Sequence, residues 1–182
     1  RSILADPRCE NMQKNLNLKI KFRESFRPFA PAVLADKASE WFDLNQESPY
    51  MQIVSNIKEN KKNNNIRQPK NLTMAEIMKI KRSQVPAITH VDFSARIQTV
   101  TNVNNKIFYD LLEAFYNLTN CPILINTSFN VRGEPIVDSP TDAIKCFLGT
   151  NLDYLVIEDF ILDKEEQDNK LNMNYLNQYE LD

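Results

Sequence analysis

Segments of strand character alternate with segments of helix character along the 182 residues, and this order predicts an α/β fold. Three observations carry it. Between Leu18 and Arg27, apolar residues (Leu18, Ile20, Phe22, Phe26) fall on even positions, while Lys19, Lys21, Arg23, Ser25 and Arg27 fall on odd ones. That is the period-2 pattern of a strand, with one apolar face and one rail of cations. A second alternation starts at His90, with His90, Asp92, Ser94, Arg96 and Gln98 against Val91, Phe93, Ala95, Ile97 and Thr99. Finally, the short apolar run Ile123-Leu124-Ile125 follows a long amphipathic stretch and reads as a strand buried on both faces.

Taken in order, residues 18–26 are expected to form a strand, because Pro28 pushes Arg27 away from helical geometry. A turn at Phe29–Pro31 leads to a short strand at Ala32–Leu34. A helix is expected over Lys37–Leu44, with Ala38, Trp41 and Phe42 inward, and a strand at Met51–Val54. Residues 56–70 read as a loop. Thr73 followed by Glu76 is a capping-box signal for a helix to about Lys81. Pro86 introduces the second alternating strand. Lys106–Leu118 is the strongest helix, with Ile107, Leu111, Ala114, Phe115 and Leu118 as its expected core stripe. Ser139-Pro140-Thr141-Asp142 predicts an N-cap with proline at the first helical position, opening a helix to about Leu148. Asp153–Ile157 and Phe160–Leu162 supply the last strands, and residues 165–182 form a polar tail.

Composition excludes several classes. The net charge of −2 gives no global basic field for nucleic acid, although residues 58–82 hold eight Lys/Arg against two Glu and 158–182 hold eight Asp/Glu against two Lys. Cys9, Cys121 and Cys146 show no paired spacing, which speaks against a disulfide framework and for the cytoplasm. With His90 as the single histidine, neither a His/Cys metal site nor a Ser-His-Asp triad is expected. No apolar run reaches membrane-helix length. The start at Arg1, without Met, suggests a fragment or a processed product.

Two glycines, Gly133 and Gly149, are too few for a Walker A loop or a dinucleotide fingerprint. Any phosphate would have to be held by side chains. The candidates are the Lys21–Arg27 rail, Arg96 on the polar face of the second alternating strand, and the polar run Asn126-Thr127-Ser128-Phe129-Asn130 at the carboxyl end of a strand. Each also has a plain reading, as solvated strand charges or as a capping turn.

Three blocks carry a resemblance. Arg1-Ser2-Ile3-Leu4-Ala5-Asp6-Pro7-Arg8 with Lys21-Phe22-Arg23-Glu24 and Phe26-Arg27-Pro28-Phe29-Ala30-Pro31, then His90-Val91-Asp92 with Ala95-Arg96 and Gln98, then Asn126–Asn130 with Gly133-Glu134-Pro135-Ile136-Val137, are similar to the C-terminal half of the NodU/CmcH carbamoyltransferase family. The cover runs from Arg1 to about Lys164. The resemblance implies a YrdC-like domain: a twisted, open, mixed α/β sheet with flanking helices and a concave basic groove. In such a domain, carbamoyl phosphate and ATP (with Mg²⁺) give a carbamoyl-adenylate. A preceding sugar-kinase-like domain, outside this chain, passes its carbamoyl group to an acceptor hydroxyl. By family pattern, Lys21, Arg27, Arg96 and Ser128 would hold the carbamoyl phosphate, with Asn126 beside them, and Arg23 or Arg27 and Asn130 belong to the set around ATP; His90 is a further candidate, for a structural hydrogen bond or for proton transfer. Two alternatives stay open: a noncatalytic YrdC-like module binding nucleotide or RNA, and a domain whose role is to form a homodimer.

Overall fold

A computed structural model describes residues 1–63, 73, 76, 80–168 and 175. They divide into two units: Arg1–Ile3 with Lys14–Ser25 and the residues from Ser128 onward, and Leu4–Gln13 with Phe26–Thr127.

The second unit carries most of an open, mixed, five-stranded sheet. Its strands are β1 (Ser2–Ala5), β2 (Pro31–Leu34), β3 (Ile53–Asn56), β4 (Ser94–Val100) and β5 (Ile123–Ser128), in the spatial order β1-β5-β2-β4-β3. β2 runs parallel to β4 and antiparallel to β5, while β3 runs antiparallel to β4. The register sets Ala32 opposite both Gln98 and Leu124. Residues paired in this way point to the same side of a sheet, so Ala32, Leu34, Gln98, Val100 and Leu124 share one face. The other face, with Val33, Ala95, Ile97, Ile123 and Ile125, is buried throughout. The expected mixed α/β sheet with flanking helices is therefore present.

Among the described residues there are four α-helices: α1 (Met12–Lys19), α2 (Ala38–Trp41), α3 (Lys106–Thr119) and α4 (Pro140–Gly149). α3 begins where the Asn105 side chain accepts from the Phe108 amide, and it ends at Asn120, whose left-handed backbone closes the last turn. Leu112 of α3 is fully buried against Ala32, Leu34, Val100 and Leu124, with Phe108, Phe115 and Tyr116 packed around it. In the first unit, α4 opens on the expected N-cap, which the structure completes as a capping box. Ser139 Oγ accepts from the Asp142 amide, and Asp142 accepts from the Ser139 amide. Strands β6 (Tyr154–Ile157) and β7 (Phe160–Asp163) then form a hairpin, with Glu158 at positive φ in its turn.

Several expectations fail for physical reasons. Residues 18–26 are not a strand. Helix spacing competes with the alternation and wins, because Leu16 and Ile20 are buried at i, i+4, and so are Asn17 and Lys21. The Lys21 amide donates to the Leu16 carbonyl and the Arg23 amide to that of Asn17, wrapping the chain end of α1, while Phe22 takes a positive φ. The expected helix over Lys37–Leu44 is a 3-10 turn at Ala35–Lys37 followed by the short α2, although Ala38, Trp41 and Phe42 are buried as expected. The strand expected at Met51 starts at Ile53, because Met51 has a positive φ. The strand expected from His90 starts at Ser94, after a turn in which Phe93 has a positive φ. The expected core stripe of α3 is largely on the outside: Ile107, Leu111 and Leu118 are 85%, 47% and 86% exposed. The capping bonds between Thr73 and Glu76 are made, and most of the helix expected after them lies outside the described residues. No described helix is long and apolar enough to cross a membrane.

The two faces of α3 should therefore respond differently to truncation. Leu112→Ala is expected to cost about 2–5 kcal/mol in urea unfolding, whereas Leu118→Ala is expected to stay within about 0.5 kcal/mol.

Candidate functional site

In the first unit, the turn after α1 brings Lys21 to the end of β5. Its ammonium donates to the Ser128 carbonyl, to Ser128 Oγ at 3.1 Å, to the Asn130 carbonyl at 2.9 Å and to Asn130 Oδ1 at 2.8 Å. Lys21 is 6% exposed. Burial, aided by the nearby Arg23 guanidinium, pulls its pKa down to about 8. Near neutral pH it is still a cation, held among protein oxygens. Of the three cations expected to share one rail, Lys21 is the buried one. Arg23 donates to Oδ1 of the fully buried Asn17 at 2.7 Å.

Behind Ser128 the loop is tied by side chains. Ser128 Oγ donates to Asn130 Oδ1 at 2.6 Å, Asn130 Nδ2 to the Glu134 carbonyl at 2.7 Å, and the Val131 amide to Glu134 Oε2 at 2.8 Å. Tyr175 donates its hydroxyl to Glu134, and its ring lies where a Cβ on Gly149 would sit. Burial raises the Cys146 thiol to about 12 and that of Cys121 to about 11, so neither supplies a thiolate nucleophile near neutral pH.

In the second unit, a pocket of about 310 Å³ is lined by Pro28, Phe29, Ala30, Val54, Ile88, His90, Asp92, Ser94, Ala95 and Arg96. Its polar wall is the start of β4 and the turn before it. Asp92 Oδ1 accepts from the Ser94 amide at 3.0 Å and from Ser94 Oγ at 2.6 Å, and it lies 3.1 Å from His90 Nδ1. The hydrogen bonds from Ser94 hold the Asp92 carboxyl down at about 2. An ionised Asp92 accepts from Nδ1–H, which leaves His90 Nε2 as the acceptor nitrogen.

The sheet also brings together residues from separate blocks. Asn126 Nδ2 donates to Gln98 Oε1 at 2.7 Å, and the Asn126 amide donates to the Ala30 carbonyl at 3.0 Å. Because strand side chains alternate, Arg96 shares the β4 face of Gln98. That face is apolar under α3 and polar beyond it. Arg27 lies exposed, one residue before the pocket-lining Pro28. The candidates thus fall into two groups: Lys21, Arg23, Ser128 and Asn130 in the first unit, and Arg27, His90, Arg96 and Asn126 in the second.

Sequence reasoning missed Asn17, Glu134 and Tyr175 as parts of the first group. It also read the first family block without its main structural bond. Arg8 forks onto Asp6, at 2.9 Å from Nε to Oδ1 and 2.6 Å from Nη2 to Oδ2, and donates to the Thr119 carbonyl. The i, i+4 spacing of Asn17 and Lys21 was a usable signal; nothing local marks Tyr175. Among the described residues, no group of three or more His, Cys, Asp or Glu is placed to hold a metal ion. The described cations of the basic 58–82 stretch are also engaged internally. Lys58 pairs with Asp43 at 2.9 Å, Lys62 with Glu59 at 2.7 Å and Lys81 with Glu10 at 2.8 Å, while Lys61 lies 4.1 Å over the Trp41 ring.

Residues 1–164 match the family described as Carbamoyltransferase C-terminus, and the chain belongs to it. It is 52% identical over 183 residues to an uncharacterized protein of Synechocystis sp., covering all of this chain and 30% of that protein. It is 42% identical over 167 residues to Nodulation protein NolO of Bradyrhizobium diazoefficiens, with 90% and 27% covered. To Nodulation protein U of Rhizobium tropici it is 32% identical over 165 residues, with 91% and 24% covered. The chain thus spans less than a third of the length of these relatives.

The buried ammonium has a signature in stability. Between pH about 8 and the ordinary lysine value near 10.5, the unfolded chain binds a proton at Lys21 that the folded chain has lost, so this group makes stability rise with pH. The two buried thiols act in the opposite sense above pH 9, because their folded values are raised from there. The difference between wild type and Lys21→Met isolates the lysine. Urea unfolding from pH 7 to 10.5 is expected to show the upward contribution in wild type and its loss in the variant.

Proposed function

We propose that this chain is the activating domain of a larger carbamoyltransferase. It binds carbamoyl phosphate and ATP and makes a carbamoyl-adenylate for transfer to an acceptor hydroxyl in a preceding sugar-kinase-like domain. Family membership supports the carbamoyl chemistry. The observation that carries the site is Arg96, an exposed cation on a strand whose other residues are buried or half-buried, lining a pocket whose volume of about 310 Å³ suits a small ligand.

In this reading, water first splits carbamoyl phosphate into carbamate and phosphate. A carbamate oxygen then attacks the α-phosphorus of ATP. The α–β phosphoanhydride bond breaks, and pyrophosphate leaves with that electron pair. Two anions must be held together for this to happen, and fixed cations lower the cost more than mobile ones do. Arg96 offers a planar fork to phosphate oxygens. Arg27 stands next to the same pocket as a second guanidinium. His90 Nε2 faces this chemistry as a proton acceptor, oriented from behind by Asp92.

Lys21, Ser128 and Asn130 form a separate candidate group in the first unit. The three N–H groups of Lys21 already have protein oxygens to donate to, so a ligand oxygen would take the place of one of them. Ser128 and Asn130 act as hydrogen-bonding groups and not as nucleophiles. Magnesium would accompany the nucleotide and offset the charge of its phosphates.

Pyrophosphate release from ATP is the direct test. Release that depends on carbamoyl phosphate is expected, and Arg96→Ala should lower it about 10²–10³-fold if that cation stabilises the transferring phosphoryl group; Lys21→Ala reports separately whether the first unit's group takes part. No release, together with no calorimetric binding of either ligand, would overturn the reading. RNA binding that survives both substitutions would replace it with a surface-patch function.

A further inference from the structure

α3 is apolar on two sides. Phe108, Leu112, Phe115 and Tyr116 face the sheet. Ile107, Leu111, Ala114 and Leu118 form a second stripe, and all four are exposed, Ile107 and Leu118 by 85% and 86%. Val103, just before the helix, is 94% exposed. Helical residues advance about 100° each, so these four positions fall within a sector roughly 60° wide. The 4-3-4 spacing is the narrow a/d seam that receives another helix, and not the broad stripe that covers a sheet. An apolar row of this kind is uncommon on a free surface.

Two properties decide between a second copy and a different partner. The polar flank of the seam carries Lys106, Asp110 and Glu113, and Lys106 is already paired with Asp110 at 2.7 Å. An antiparallel two-fold pairing sets each flank against its own copy, and the net charge of this flank is negative on both sides. Area points the same way. The 14 residues of α3 span about 21 Å, so a seam about 10 Å wide buries roughly 200–300 Å² per side, well below the about 800 Å² of a stable free interface. A contact that small suffices when the partner is tethered in the same polypeptide, where effective concentration reaches about the millimolar range. Most of the length of the relatives lies outside the part this chain matches.

We infer that the Ile107–Leu118 seam of α3 is a docking surface for a helix elsewhere in the full-length polypeptide, one with an apolar heptad seam and a basic flank facing Asp110 and Glu113. The inference rests on the reading of this chain as one domain of a longer carbamoyltransferase, but not on the proposed catalytic site.

Accessibility of the seam tests it. Ile107→Cys and Leu118→Cys, each combined with Cys9→Ser, are labelled with a maleimide in the 182-residue chain and in the full-length protein, and modification of the α3 peptide is followed by mass spectrometry. Glu47→Cys, at an exposed site away from α3, is the control. The expected result is fast labelling in the chain and labelling slowed about tenfold or more in the full-length protein, with the control unchanged. Equal rates in both overturn the inference. Protection in the chain alone also overturns it: protection that grows with concentration identifies a second copy as the occupant, and concentration-independent protection means the seam is internal. Pyrophosphate release, measured separately, keeps failure of the catalytic reading distinct from failure of this one.

Discussion

The polar architecture of the first unit depends on one buried cation. An ammonium taken out of water is costly unless its hydrogen-bonding capacity is met, and Lys21 meets it with oxygens of Ser128 and Asn130. Two segments far apart in sequence are thereby fixed to each other: the turn that ends α1 and the exit from β5. The bonds continue outward from Asn130 to Glu134 and from Glu134 to Tyr175. A loop that presents polar groups often relies on glycine-rich backbone. Here the single glycine between Ser128 and Val137 is Gly133, at φ 75°, and side chains supply the rest of the rigidity.

The sheet of the second unit divides its labour along its strands. On the face shared by Leu34, Val100 and Leu124, α3 supplies apolar cover and the hydrophobic effect holds the layers together. Further along the same face, Gln98 and Asn126 bond to each other across the intervening strand. Arg96 follows at the rim of the pocket. The buried part gives the polar part its precision, because a side chain on a strand flanked by paired neighbours has little freedom to drift. The turn before β4 adds a second restraint. Asp92 is saturated by Ser94 and His90, so its charge orients the imidazole instead of standing free in the pocket.

Some of this was legible in the sequence and some was not. The alternation from Ser94 onward in β4, the buried run of β5 and the Ser139–Asp142 cap are local signals that nothing overrides. The Lys21–Arg27 alternation was equally regular and misled, because Leu16, Asn17, Ile20 and Lys21 satisfy a helical spacing at the same time. Tertiary burial of those four residues selected the helix and the turn that follows it. The stripe on α3 failed for a related reason: a helix with apolar residues on two sides has a period but no preferred inside. Only the sheet decided that Leu112 faces inward and Leu118 outward. The motif blocks identified the family, yet they did not distinguish structural members from chemical ones. Asp6 and Arg8 satisfy each other and the end of α3, whereas Arg96, one block later, stands at a pocket.

The same distinction applies to charge. Summed over sequence, the 58–82 stretch is the most basic part of the chain and the natural place to look for a polyanion partner. In the structure its described lysines are paired with Asp43, Glu59 and Glu10 or lie over Trp41, and Arg82 is buried and donates to the Ile80 carbonyl. Such contacts are individually modest, but they direct each charge toward a protein partner and leave less potential for an approaching phosphate backbone. Arg96 presents the contrasting case, a guanidinium at a pocket wall with an oriented imidazole beside it. Affinity for a small doubly charged anion depends on a few fixed cations in a confined space, whereas binding to a nucleic acid depends on many cations on an open surface. The placement of charge in this domain favours the former.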